Sequence, residues 1–224
     1  MHLSKMKFAN YTHNQELWNS LTHFVGILFS VAITILFIVL NIQKKLPFVV
    51  TYPFYIYTFT MFVVFFVSTM YHSTPLDSKI RAICRVIDHS DIFLFVAGTY
   101  TPICLLGIAN FSISLGLIIV EWVLAAIGIV LTIIGFNHKS VQIISYIIYL
   151  LGGWALIFIY PFNQCLEFNV FLFTLIGGVA YSIGAILYAV GKKWIWCHTV
   201  FHVFILMGAA LQFVGVYNIF ITMF

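Results

Sequence analysis

The stretch Val86–Ile134, VIDHSDIFLFVAGTYTPICLLGIANFSISLGLIIVEWVLAAIGIVLTII, decides the fold. It runs for 49 residues with three acidic side chains (Asp88, Asp91 and Glu121) and no lysine or arginine. As one helix it would be roughly 74 Å long at 1.5 Å per residue, against a hydrocarbon core of ~30 Å. It must therefore fold back, and the turn is expected near Asn110–Ser112. The stretch is thus two membrane-crossing helices, 86–109 and 112–134, joined by a short turn.

The rest of the chain reads the same way. Its 224 residues are 63% hydrophobic and 7% charged, with mean hydropathy +1.10. Soluble domains carry ~25% charged residues. The expected fold class is all-α: a polytopic membrane protein, a seven-transmembrane-helix bundle in a single domain, residues 1–224. The approximate spans are 20–40, 47–71, 86–109, 112–134, 141–160, 168–190 and 194–219. The fifth and sixth come from a second overlong run, Val141–Val190, expected to turn at Pro161–Asn163. The net charge of +4 calls for no nucleic-acid partner, because an excess of Lys and Arg in a membrane protein marks cytoplasmic loops. Met1–Trp18 is polar and precedes a span-length apolar stretch, so no cleavable signal is expected. Cys84, Cys104, Cys165 and Cys197 lack CxxC spacing and imply no disulfide framework.

With seven spans, one side of the membrane receives Lys5, Lys7, Lys79, Arg81, Arg85, Lys139, Lys192 and Lys193, and the other receives Lys44 and Lys45. That bias predicts a cytoplasmic N-terminus and an outside C-terminus. It also places polar residues of four helices at one depth, near the cytoplasmic leaflet. These are Glu16, Asn19 and His23 at the start of helix 1, Ser68 and His72 at the end of helix 2, Asp88, His89 and Asp91 at the start of helix 3, and His198 and His202 at the start of the last helix.

Ionisable residues at membrane depth are expensive and usually functional. His198 and His202 share a helix face at i and i+4, and His72 can supply a third nitrogen. Three histidines plus water form a catalytic zinc arrangement. The alternative is a set of histidines hydrogen-bonded between helices. Ser68, one turn before His72, can orient a water or a substrate carbonyl, or simply bond its own i−4 carbonyl. Asp88 can move a proton or support a ligand histidine; a carboxylate in a first helical turn can also just answer the helix dipole. Glu16, Asn19 and His23 fall on one face of helix 1, as a supporting shell or as a solvated helix start. His89 can be interfacial. Glu121, deeper in helix 4, has no assigned role. Gly152–Gly153 and Gly177–Gly178 are expected to allow close helix packing, and Pro102 to kink helix 3. Cys197 adjoins His198 but faces another way.

Taken together, these segments resemble the hemolysin III family, the bacterial branch of the progestin and adipoQ receptor group. The resemblance rests on Glu16-x-x-Asn19-x-x-Thr22-His23, Ser68-x-x-x-His72, Asp88-His89-Ser90-x-Ile92, Ala97-Gly98-Thr99-Tyr100-Thr101-Pro102 and His198-x-x-x-His202. It implies a seven-helix fold with its N-terminus inside, in a bacterial inner membrane. It also implies zinc held by His72, His198 and His202, with Ser68 and Asp88 near the metal. After Gly208-Ala-Ala-Leu the family pattern has His-Phe where this chain has Gln212-Phe213. Kinship with alkaline ceramidases suggests hydrolysis of a lipid amide, with a membrane lipid as partner and substrate. The family name suggests cytolysis instead, and a receptor or sensor with structural zinc is a third reading.

Overall fold

The computed structural model describes residues 11–163, 166–190, 194 and 196–224. Lys5, Lys7, Cys165 and the expected break at 191–193, with Lys192 and Lys193, lie outside these residues. The described residues form helices and short connections, with no strand among them. In chain order the helices are α1 (His13–Lys44), α2 (Phe48–Ser73), α3 (Lys79–Pro102), α4 (Phe111–Gly135), α5 (Lys139–Gly153), α6 (Ala155–Asn163), α7 (Phe168–Val190) and α8 (Cys197–Met223).

Several helices extend past the expected spans, for local reasons. The α1 helix starts at His13 because Thr12 caps it: its hydroxyl accepts from the Gln15 N–H while the Gln15 side chain accepts from the Thr12 N–H. That reciprocal pair is a capping box. The α3 helix starts at Lys79 because the Ser78 hydroxyl accepts from the Ile80 N–H. The fold-back expected near Asn110 is present, and the Asn110 side chain caps α4 by accepting from the Ile113 N–H.

Pro102 ends α3 in an irregular turn. Proline offers no N–H to the helix ladder, and residues Ile103–Gly107 continue as a π-helical turn. Within that turn the Cys104 carbonyl accepts from the Ser114 hydroxyl of α4 at 2.6 Å.

Among the described residues, six helices are individually long and apolar enough to cross a membrane. This differs from the expected seven single helices, because the fifth crossing is broken. α5 has 15 residues and α6 has 9, separated at Trp154, and each is shorter than the ~20 residues a span needs. The turn expected at Pro161–Asn163 is displaced: α6 runs through Asn163.

Contacts at the two ends give the chain's path. At one end Glu16 of α1, His72 of α2 and Arg81 of α3 meet. Phe136 after α4 and Tyr188 of α7 both pack on His89 of α3, and Tyr188 also packs on His198 of α8. Ser145, near the start of α5, pairs with Thr132 near the end of α4. At the other end Lys44 of α1 donates to the Phe224 carbonyl after α8. Among the described residues α1–α4, α7 and α8 therefore run between the two ends, with α5 and α6 in sequence between α4 and α7. Of the basic residues expected on two sides, Lys79, Arg81, Arg85 and Lys139 fall at the first end and Lys44 and Lys45 at the other.

The α3 helix is central, with 67% of its apolar window buried, against 22% for α1 and 28% for α4. Its neighbours approach closely through small residues. A Cβ on Gly98 would land on the Thr60 side chain of α2, and one on Gly26 of α1 would land on the Phe65 ring. The outward faces of α1 and α4 carry exposed Leu28, Ile35, Ile119, Val123 and Val130, the surface a lipid-embedded bundle presents. The chain is a multi-pass membrane protein.

This packing predicts that Gly98→Val destabilises the bundle by about 1–3 kcal/mol, the usual cost of overpacking. Gly116→Ala, inside α4 where an added Cβ meets nothing within 4 Å, should not lower stability. Thermal unfolding in detergent checks both; equal midpoints for the two variants would refute the close α2–α3 contact.

Candidate metal centre

Three buried imidazoles converge at one end of the bundle. The ligand nitrogens of His72, His198 and His202 all lie within 4.8 Å of one another. His198 Nε2 is 2.9 Å from His202 Nε2 and 3.4 Å from His72 Nε2. Tetrahedral zinc with Zn–N of ~2.0–2.1 Å separates its ligand nitrogens by roughly 3.3 Å. The spacing therefore fits a metal. Without one, three nitrogens crowd together with too few protons to satisfy each other, since a neutral imidazole has one donor.

The orientation of His72 is set from outside the cluster. Its Nδ1 lies 2.7 Å from Glu16 Oε2. A carboxylate accepts, so Nδ1 carries the proton and Nε2 keeps its lone pair for the centre. A carboxylate in this position is what orients a histidine for metal ligation. Arg81 holds the other Glu16 oxygen, Oε1, and donates to the Thr74 carbonyl at 2.6 Å. Its guanidinium stacks over Tyr71 at 4.7 Å. Arg81 is only 2% exposed, so a residue expected in a solvated loop is instead built into the site. Three helices and the α2–α3 turn are tied to one imidazole by this chain of contacts.

The other expected residues sit as follows. Asn19 accepts from the Thr199 hydroxyl at 2.6 Å, linking α1 to α8 beside His198. His23 lies edge-on against His202, ring centroids 3.9 Å apart, with both ring nitrogens buried and unpartnered. It packs against the ligand set rather than hydrogen-bonding to it. Ser68 is buried one turn from His72, with the Asp88 carboxyl of α3 as a polar neighbour. His89 donates from Nδ1 to the Arg85 carbonyl at 2.9 Å and accepts at Nε2 from the Tyr188 hydroxyl at 3.2 Å. It therefore braces α3 against α7. Asp91 is buried with both carboxylate oxygens unpartnered. Gln212 packs on Gly177 of α7, on the α7–α8 seam.

Tyr11 was not foreseen. It stacks on His198 at 5.0 Å and also packs against His72. Burial, and after it the Tyr71 and Glu16 side chains, push its phenol above the ordinary value, so it covers the imidazoles as a neutral ring. The signal available was its place immediately before the Thr12 cap, which aims it back over the first turn of α1.

Comparison with known proteins follows the same residues. The family model described as "Haemolysin-III related" matches residues 11–213. This chain belongs to the hemolysin III family. It is 33% identical over 204 residues to the Bacillus subtilis (strain 168) protein named "Hemolysin-3 homolog", covering 91% of this chain and 93% of that one. It is 32% identical over 200 residues to "Hemolysin-3" of Bacillus cereus, covering 89% of each.

If Glu16 sets the His72 tautomer, Glu16→Ala should weaken divalent-metal binding by about 10–100-fold, the usual cost of losing such a support. Gln at this position should retain part of the affinity. Metal titration of the purified protein checks this, and unchanged affinity in Glu16→Ala would remove Glu16 from the centre.

Proposed function

We propose that this protein is a zinc-dependent membrane hydrolase of a lipid or lipid-like amide. The observation that carries the reading is the convergence of three imidazole nitrogens, one of them oriented by Glu16, beside a hydroxyl–carboxylate pair. Bound to three neutral imidazoles, zinc would supply Lewis acidity at this point. His72, His198 and His202 are the residues that would hold it.

The remaining work falls to Ser68 and Asp88. Asp88 takes the proton of the attacking water as the oxygen–carbon bond forms, and returns it to the amide nitrogen as the carbon–nitrogen bond breaks. Ser68 orients that water or donates to the developing oxyanion. Arg81 and Glu16 keep the His72 ring fixed throughout. The charge bias between the bundle's two ends favours a cytoplasmic location for this end, with the N-terminus inside.

The relatives' names favour a second reading, cytolysis. A one-chain pore needs a continuous polar lining, whereas the buried histidines, Arg81 and Asp91 gather at one end. Lysis by lipid chemistry would reconcile the two readings.

Purified, zinc-loaded protein should release fatty acid from acyl-amide lipids. His202→Ala should abolish the release, and Asp88→Asn should slow it by about 10²–10⁴-fold, the range for a general acid–base group. No release by fully loaded wild type across amide lipids contradicts the hydrolase. Dye release from liposomes that survives Ser68→Ala and His202→Ala unchanged would favour direct lysis instead.

A further inference from the structure

A second polar locus lies away from the histidines, at mid-depth. Glu121 is 2% exposed on α4, in a buried stripe that otherwise reads Ser114, Leu117, Ala125, Gly128 and Thr132. It sits 14 residues, roughly 21 Å along the helix, from Gly135 at the end nearer the histidines. Its Oε1 is buried without a hydrogen-bond partner. No ion pair among the described residues includes it. A carboxyl group at such depth must be neutralised or paired.

The fifth crossing breaks opposite this carboxyl. Glu121 Oε2 lies against Gly152, where an added Cβ would come within 2.9 Å of it. The α5 helix ends at Gly153, and Trp154 leaves the helical path at φ −102° and ψ 3°. The Tyr100 hydroxyl spans the break, donating to the Gly153 carbonyl at 3.2 Å and accepting from the Leu156 N–H at 3.1 Å. Broken helices at membrane depth recur where backbone carbonyls help hold an ion. Here the carbonyl-rich, negative end of α5 abuts a carboxylate, two like potentials in apolar surroundings. Both are relieved by one cation. The nearby donors are all oxygen, which suits a hard ion, and the single formal charge suits a monovalent one.

We propose that Glu121 and the α5–α6 break form a second site, for a monovalent hard cation of sodium type, exchanging with a proton on the Glu121 carboxyl. The site is independent of the histidine cluster and does not rest on the hydrolase reading. Tyr100, whose hydroxyl bridges the break, is the titratable neighbour within electrostatic reach.

The test uses N,N′-dicyclohexylcarbodiimide, which adds to protonated carboxyls in apolar surroundings. Full-length protein in detergent is labelled at fixed pH in sodium, potassium or choline chloride, and the adduct is located by mass spectrometry. The site predicts labelling of Glu121 that sodium slows several-fold relative to choline. It also predicts a sodium-dependent rise in thermal midpoint that is absent in Glu121→Gln and Gly152→Ala. Metal binding at the histidines, unchanged in both variants, serves as the folding control. Equal labelling in all three salts, or no labelling of Glu121 in any, overturns the proposal. So does a sodium-dependent midpoint that persists in Glu121→Gln.

Discussion

The Glu16 carboxylate, shared between the His72 imidazole and the Arg81 guanidinium, is the interaction on which this end of the bundle depends. Removing an isolated charge from water is costly, and a buried pair survives only when its hydrogen bonds are complete. Glu16 answers both partners at once, and Arg81 uses a further N–H on Thr74 and its flat face on Tyr71. The result fixes α1, α2 and α3 relative to each other before any metal is considered. It also decides which nitrogen of His72 is free. The α8 helix then completes the centre by presenting His198 and His202, with Thr199 and Asn19 locking it to α1.

The buried histidines, with Arg81 and Asp91, gather at one end of the bundle. In lipid the backbone satisfies itself within helices, so a polar side chain bonds a carbonyl of its own helix, as Ser90 and Thr99 do, or finds a partner in another helix. His89 with Tyr188 and Asn19 with Thr199 are such pairs, and both cluster around the histidines. The departures from this tidy satisfaction are informative. His23 and Asp91 stay unpartnered near the histidine end, and Glu121 stays unpartnered at the break in the fifth crossing. Groups that cost most where they stand are the ones that mark function.

Much of this was legible in the chain. The 49-residue run Val86–Ile134 forced a turn, and the turn lies where Asn110 caps α4. The i and i+4 spacing of His198 and His202, with His72 on the same side by span counting, placed the three imidazoles together. Other features were hidden for physical reasons. Arg81 read as a loop charge, because nothing in its neighbours announces burial; only the folded turn brings it to Glu16. The break at Trp154 carries no proline, and two glycines suit close packing as well as interruption. Tyr11 precedes its helix, so no periodicity predicts what it covers. Thr12-x-x-Gln15 is a capping box that marks the early start of α1 at His13, ahead of the apolar span expected from residue 20.

The central claim is that the bundle folds so as to give one metal ion three imidazoles. Elemental analysis of the purified protein, with X-ray absorption at the zinc edge, addresses it most directly. The account predicts one zinc per chain, with imidazole nitrogens at ~2.0–2.1 Å, and loss of the metal in His72→Ala while the protein stays folded. Metal-free wild type that cannot be loaded, or zinc retained equally when His72, His198 and His202 are each replaced, would contradict it.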